Sequence, residues 1–303
     1  MCISTIALIG YIILFTNEHA ADVNATIEQL QKQGVDRSAI ILYTTETTTP
    51  ITSALIKTPP PSRRKLTLSK IYKWLLNDAS IEGCFDYLTI LEDDLFLSPN
   101  FVSYMKWGQR LLELDRSIGV VSAWNDNAVP DALLNPSVVL KTRQFMGLGW
   151  ITRAADAFDA ARSIIPIRPR PWDYQVAQHF LRQGLLSVFP QFPRVKHRTA
   201  SYWKFDTLQV YNQSLAALPT PQTICDNYSG YLQSLCSPER AHVATDFAGL
   251  EQTLRKSAAC APWTKSALTS RLYGEFNGSA VFPDRDGNQH IFSVDSAGRT
   301  CWQ

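Results

Sequence analysis

The sequence predicts an α/β fold on a mostly parallel sheet, and three observations carry that expectation. Strand-like and helix-like patterns alternate through roughly the first two hundred residues. Several of the strand-like runs are apolar without interruption, as strands covered on both faces are. A short acidic run, Glu92-Asp93-Asp94, follows directly on one of them. In open α/β sheets, ligands gather at the carboxyl ends of the strands.

In chain order, Ile6 to Phe15 is a continuous apolar run and reads as a buried strand. Asp22 to Gln33 has helical spacing, with Val23, Ile27 and Leu30 on one side. Ala39 to Tyr43 (AIILY) predicts a second buried strand, and Leu66 to Leu76 a helix with Leu68, Ile71, Tyr72 and Leu75 on one face. Phe85 to Leu91 (FDYLTIL) predicts a third strand. Pro99 to Asp115 predicts a helix, with Ser98 as its N-cap and proline in its first turn. Ile118 to Ala123 (IGVVSA) predicts a fourth strand. Pro171-Trp172-Asp173 opens a helix running to Leu186, and Pro193 to His197 ends an apolar strand-like stretch. This order argues for a parallel-rich sheet with helices on both faces.

After about Lys204 the apolar segments become short. Tyr273 to Phe276, Ala280 to Phe282 and His290 to Val294 predict small strands, with Asp286-Gly287-Asn288 as a hairpin turn between the last two. We read residues 1–205 as one domain and residues 206–303 as a smaller α+β region rich in cysteine.

At 303 residues with a net charge of +2, the chain is large enough for a substantial core and too balanced in charge for a nucleic-acid binder. Ile3 to Phe15 is shorter than the roughly twenty apolar residues of a membrane span. It reads as a buried strand rather than an anchor, so a membrane is expected only through an anchor not evident in these residues. None of the six cysteines forms the CxxC spacing of a zinc site. Four of them, Cys225, Cys236, Cys260 and Cys301, lie in the C-terminal region. Acceptor sequons stand at Asn24, Asn212, Asn227 and Asn277. Together they point to an oxidising secretory lumen with disulfides; reduced thiols in a cytosolic protein are the competing reading.

Three adjacent acids repel one another unless something positive is present. A hard divalent cation suits that need, and oxygen ligands suit Mg²⁺ or Mn²⁺. Because successive side chains of a strand point to opposite faces, one carboxylate can face the cleft while the next turns to a neighbouring loop. A solvated acidic turn or a helix-capping cluster is the alternative. The apolar strand before the triplet and Leu95-Phe96-Leu97 after it argue that the turn is tucked into the body.

Four more segments follow: Ser122-Ala123-Trp124-Asn125-Asp126-Asn127, Gly147-Leu148-Gly149-Trp150, the Trp172-Asp173 pair, and Pro193 to His197. The glycines permit close backbone approach to a ligand or serve as plain turns. Trp150 or Trp172 can stack on an apolar sugar face or belong to the core. Asp173 can act as a base or cap a helix. Lys196 and His197 can meet a diphosphate or a metal, or form an exposed strand-end cluster with Arg194 and Arg198.

LEDDL, SAWNDN, GLGW and the Trp-Asp pair, in this order and spacing, resemble glycosyltransferase family 13 over about residues 5–205. The resemblance implies a GT-A (Rossmann-like) nucleotide-sugar-binding fold, UDP-GlcNAc as donor, Mn²⁺ (or Mg²⁺) as cofactor, and inverting β-1,2 transfer to a mannose hydroxyl of a glycan acceptor, expected in the Golgi lumen. It implies that Asp94 ligates the metal, that Glu92 and Asp93 bind the sugar and ribose of the donor, and that Asp173 is the base. Trp172 would shape the acceptor side, with Trp150, Asn125 and Asp126 beside it and Gly147 and Gly149 near the donor. The sequence departs from the family where an acid near the uracil is replaced by Tyr43-Thr44-Thr45-Glu46, shifting that contact to Thr45 or Glu46. Ile71 stands where the family has histidine, and Tyr174 and Gln175 follow the Trp-Asp pair in place of another acid and an aromatic. Those changes leave open another UDP-sugar or acceptor, such as a glycolipid. A non-catalytic glycan-binding relative is a further alternative, which the presence of both Asp94 and Asp173 disfavours.

Overall fold

The computed structural model describes residues 8–46, 50–51, 55–60, 66–82, 85–125, 139–143, 145–166, 171–190 and 192–198, and beyond these the strand residues 224–225, 241–244, 279–283 and 289–294. In chain order the elements are β1 (Ile9–Leu14), α1 (Ala20–Lys32), β2 (Ile40–Tyr43), β3 (Leu55–Lys57), α2 (Leu68–Glu82), β4 (Tyr87–Glu92), β5 (Leu95–Leu97), α3 (Phe101–Leu114) and β6 (Ile118–Ser122). They continue with β7 (Val139–Thr142), β8 (Trp150–Arg153), α4 (Ala154–Ser163), α5 (Trp172–Arg182), β9 (Leu186–Pro190) and β10 (Val195–His197). Last come β11 (Ile224–Cys225), β12 (Ala241–Ala244), β13 (Ser279–Pro283) and β14 (Gln289–Val294).

A nine-stranded sheet runs β11-β7-β9-β6-β8-β4-β1-β2-β3. Strand β1 pairs in parallel with both β2 and β4, so the apolar run near the N-terminus lies inside the sheet rather than at its edge. Strand β8 is antiparallel to β4 and to β6, which leaves β6 running the same way as β4. The carboxyl ends of β1, β2, β4 and β6 therefore open on one edge. The expected α/β class and parallel-rich sheet are both present.

Alternation along each strand divides the core in two. Tyr11 and Ile13 face one side with Val23, Ile27 and Leu30 of α1 and Phe101, Met105 and Leu112 of α3. Ile12, Leu88 and Ile90 face the other with Tyr72, Leu75 and Leu76 of α2, Ala157 and Ala161 of α4, and Val176 and Phe180 of α5. Helix α2 runs past the expected Leu76 to Glu82, and Leu68 is exposed at its start. Among the described residues, no helix is long and apolar enough to cross a membrane.

Two expectations about helix ends need correction. Ser98 does not cap α3. Its N–H donates to the Arg194 carbonyl at 2.8 Å and its hydroxyl to Asn100 Oδ1 at 2.8 Å, because it continues the β5 strand; Asn100 takes the cap position. Helix α5 stops at Arg182 rather than Leu186. Gly184, at φ +69°, lets Leu185 N–H reach the Phe180 carbonyl at 3.0 Å and Gly184 N–H the Leu181 carbonyl at 3.1 Å, a left-handed closure of the last turn that leads into β9.

Beyond residue 205, β11 pairs in parallel with β7 at the edge of the main sheet. Strands β13 and β14 form an antiparallel pair with β12 alongside β14, matching the strands expected at Ala280–Phe282 and His290–Val294. The expected strand at Tyr273–Phe276, the Asp286-Gly287-Asn288 turn, and Cys236, Cys260 and Cys301 lie outside the described residues.

Candidate active site

Glu92 is the last residue of β4 and shares the face of Leu88 and Ile90, so it points toward α2 and α5. There the Tyr72 hydroxyl donates to Glu92 Oε1 at 3.5 Å. Tyr72 is itself stacked on Trp172, with ring centroids 3.5 Å apart and planes 6° off parallel. Asp93 turns the other way. Its Oδ2 accepts the Thr16 N–H at 2.9 Å, at the carboxyl end of β1. Asp94 closes the turn into β5, and its Oδ2 lies 3.0 Å from Nδ1 of His197. The three acids thus reach three different elements.

His197 is placed by a short antiparallel ladder that pairs Val195 with Leu97, Lys196 with Phe96 and His197 with Leu95. Arg198 fastens the end of that ladder: its N–H donates to the Asp94 carbonyl at 2.6 Å and its Nε to the Leu95 carbonyl at 2.9 Å. Trp124 meets the imidazole edge-on, with centroids 6.2 Å apart. Side chains of Asp94 and His197 are 15% and 12% exposed, so the pair is largely withdrawn from water.

Burial pushes Glu92 from an ordinary 4.5 up to about 7; the charges of Asp94 and Asp93 add to the rise and His197 opposes it. Burial also raises Asp93. At Asp94 burial favours the neutral acid, yet the His197 hydrogen bond and charge outweigh it and hold the carboxyl below its usual range. The Tyr72 phenol is raised well above its usual range by burial first and then by the charges of Glu92, Asp93 and Asp173, so its hydroxyl stays protonated and donates. Asp173 follows Trp172 in α5, and Trp172 stacks on the Tyr72 ring whose hydroxyl meets Glu92.

One donor atom each from Glu92, Asp94 and His197 lies within 4.8 Å of the others. Among the described residues, neither Lys nor Arg forms an ion pair with Glu92, Asp93 or Asp94. Two carboxylate oxygens and an imidazole nitrogen fit Mn²⁺ and similar divalent ions. The Asp94 expected to meet a metal is thus in a fitting donor set.

Other expected site residues divide. Asp173 is exposed in the first turn of α5, where Pro171 holds the cap position; among the described residues its Oδ1 accepts only the adjacent Tyr174 N–H, at 2.8 Å, so the capping alternative does not hold. Thr45 is exposed beyond β2, and Glu46 Oε1 accepts the Asn17 N–H at 3.2 Å between the ends of β1 and β2. Trp172 is buried on Tyr72 and supports the site from below. Asn125 is buried at the end of β6, and Asp126 lies outside the described residues.

Trp150 requires correction as an acceptor-stacking residue. It is 0% exposed in the core of β8, with Phe145 edge-on at 5.0 Å, and offers no ring face to a sugar. Gly149 sits at φ +57° and a Cβ there would lie 2.9 Å from Val195 Cγ1. Protein packing, rather than a ligand, accounts for that glycine. At Gly147 a Cβ would meet only the Phe145 ring, at 3.2 Å. The exposed strand-end alternative for Arg194 also falls, since Arg194 is 1% exposed with its guanidinium 5.9 Å from the Tyr104 ring centre. Lys196 lies over the Phe96 ring at 5.7 Å.

Sequence reasoning missed three contributors. Tyr72 reads as core from its helical spacing, and only its polar tip hints at Glu92 as a partner. The backbone donors Thr16 and Asn17 carry no side-chain signal.

The GNT-I family profile matches residues 29–215 of the chain. An alpha-1,3-mannosyl-glycoprotein 2-beta-N-acetylglucosaminyltransferase from Arabidopsis thaliana is 31% identical over 86 residues, which is 28% of this chain and 19% of that protein. The match thus spans about a fifth of that relative's length. A mannosyltransferase from Pyrobaculum calidifontis, PcManGT, solved with GDP-Man and Mn²⁺, overlays with a TM-score of 0.41 at 16% identity, covering 60% of this chain and 54% of that one.

Proposed function

The chain belongs to the GNT-I family, and from that premise we propose that it is an inverting glycosyltransferase that passes GlcNAc from UDP-GlcNAc to a mannose hydroxyl of a glycan, in β-1,2 linkage. The observation that supports this reading most is the convergence of Glu92, Asp94 and His197 at the carboxyl end of β4.

Inverting transfer is one displacement at the anomeric carbon. The acceptor hydroxyl must lose a proton, and the leaving diphosphate must be stabilised. Asp173 takes the first role: it is exposed and held at a helix start, next to the Trp172 that stacks on Tyr72. Asp94 takes the second as metal ligand, and a divalent cation there supplies charge neutralisation to the departing diphosphate. Glu92 and Asp93 orient the donor sugar and ribose. Thr45 and Glu46, at the end of β2, are the residues for the base, and Trp172 stiffens the acceptor side through its stack on Tyr72. Placement in the secretory lumen, the Golgi included, is supported by the sequons and cysteines. The Asn24 sequon is the weakest of these, since it lies within α1 and the Thr26 hydroxyl donates to the Leu95 carbonyl at 3.0 Å.

A screen of UDP-sugars for Mn²⁺-dependent thermal protection tests the donor. UDP-GlcNAc should protect best; protection by another sugar alone would keep the chemistry and change the substrate. Asp173→Asn should bind donor normally and turn over at least about a hundredfold slower, the usual scale for a general base. Normal turnover would remove Asp173 from that role. Asp94→Ala should abolish Mn²⁺-dependent UDP binding in calorimetry.

A further inference from the structure

We propose that His197 is a metal ligand together with Asp94 and Glu92, so that the chain takes up a divalent transition-metal ion before any nucleotide arrives. The proposal rests on the reading that Asp94 holds the cation; it adds a nitrogen donor, and it places Glu92 on the metal instead of in the donor-orienting role given above.

Three observations carry it. First, the three donor atoms fall within 4.8 Å of one another although 103 residues separate Asp94 from His197. Donors around an ion with bonds of about 2.0–2.2 Å stand roughly 3–4.3 Å apart, so only small shifts are needed. Second, the cluster is built rather than fortuitous. The β5–β10 ladder fixes His197 opposite Leu95, and Arg198 ties the Asp94 carbonyl, the Leu95 carbonyl and Gln29 Oε1 into one unit, the last at 2.8 Å. Trp124 limits rotation of the imidazole from one side. Third, no Lys or Arg side chain bonds to the acids among the described residues; Arg198 and His19 act on them only through space. Three carboxylates crowd one edge, and among the described residues their directly bonded partners are the Tyr72 hydroxyl, the Thr16 backbone and hydroxyl, and the imidazole.

The chemical class of the ion follows from the donors. Imidazole suits first-row transition ions, with affinity rising from Mn²⁺ through Co²⁺ toward the later metals, whereas Mg²⁺ and Ca²⁺ prefer all-oxygen sites. A site of carboxylates and nucleotide oxygens alone would discriminate little between Mg²⁺ and Mn²⁺. His197 would thus set metal preference and let the ion bind without nucleotide.

The test uses the intact chain and metal alone. Mn²⁺ is titrated into nucleotide-free protein by calorimetry, and the bound ion is examined by pulsed electron paramagnetic resonance for modulation from a directly bound ¹⁴N. Wild type should bind Mn²⁺ and show the nitrogen modulation. His197→Gln, which keeps a hydrogen-bonding side chain of similar reach, should lose the modulation, weaken Mn²⁺ binding by at least about tenfold, and leave Mg²⁺ binding nearly unchanged. Equal thermal unfolding of the two proteins checks that the variant folds; if it does not, the wild-type nitrogen signal decides alone. Bound Mn²⁺ without nitrogen modulation, or no Mn²⁺ binding until UDP is added, overturns the proposal. Asp94→Asn separates the two levels. If it loses UDP-dependent Mn²⁺ binding while His197→Gln behaves as wild type, Asp94 keeps its role and His197 loses this one. If neither variant changes metal binding, both fail.

Discussion

Two corners of the molecule carry motifs of similar promise in sequence, and they come to different ends. The acidic corner, Glu92 to Asp94, sends its three side chains to α2, to the end of β1 and to β10, where polar partners wait. The Gly147 to Trp150 corner, one strand over, turns inward. Its tryptophan is sealed in the core and its second glycine is packed on Val195. Yet the second corner supports the first. The Gly149 carbonyl accepts the Ala123 N–H at 2.9 Å, and the Ala123 carbonyl accepts the Arg194 N–H at 2.7 Å, one residue before the strand that bears His197. The contrast teaches that a motif beside a site can matter by positioning backbone rather than by touching ligand.

The contrast can be broken most forcefully at Trp150. Trp150→Ala should cost about 3–5 kcal/mol of stability, the usual scale for emptying a buried aromatic site, read as a shift in the denaturant midpoint. Trp150→Phe should cost much less, since the indole nitrogen is buried without a hydrogen-bond partner. If Trp150→Ala folds as stably as wild type and instead loses acceptor binding, the core assignment is wrong.

Gly149→Ala comes next. A left-handed backbone costs a non-glycine residue about 1–2 kcal/mol, and the added methyl would also press on Val195. We expect destabilisation together with weaker Mn²⁺ binding, because Val195 opens the strand that carries His197. A loss of stability with metal binding intact would uncouple the corners.

A subtler probe is pH. The carboxyl of Glu92 is raised from 4.5 to about 7 in the folded protein. The folded state therefore holds that proton more tightly than the unfolded one. Its contribution to stability is present below 4.5 and is lost as pH rises through 7, opposite to an acid held below its usual range. Metal-free wild type should lose thermal stability between those values, and Glu92→Gln should flatten this component. Equal slopes in the two proteins would refute the buried-acid account.

The smallest effect is expected at Tyr72→Phe. The hydroxyl's contact with Glu92 is 3.5 Å long, so its removal should cost no more than about 0.5–1 kcal/mol. Since that contact favours the charged acid, Glu92 should titrate higher still in the variant, detectable by NMR of the carboxyl carbon.

Much of the fold was legible because its signals are local. Uninterrupted apolar runs at Ile9–Leu14, Ile40–Tyr43 and Ile118–Ser122 cannot face water, and their alternation with helical periods leaves few layer arrangements. The antiparallel insertion of β8 between β4 and β6 was not legible, because a strand buried on both faces reads the same in either direction. Helix ends were misjudged where tertiary pairing competed with capping: Ser98 has an N-cap's chemistry, but the Arg194 carbonyl claims its N–H. In the site, Asp94 and Asp173 stood out by residue type and order. Trp150 and Trp172 did not separate, since a tryptophan after glycine and one before aspartate present the same side chain, and only packing assigns their depth.

The sequence by itself determined the α/β class, the place of the acidic triplet at a strand end, and membership of a family whose profile covers most of the described residues. Those follow from periodicity and residue order, which act within a few residues of one another along the chain. The tertiary structure decided which acid meets which partner, that His197 lies 3.0 Å from Asp94, and that the GLGW tryptophan is core. These are contacts across about a hundred residues of chain, set by how strands and helices pack, and alternation along one strand shows only that neighbours diverge, not what each one finds.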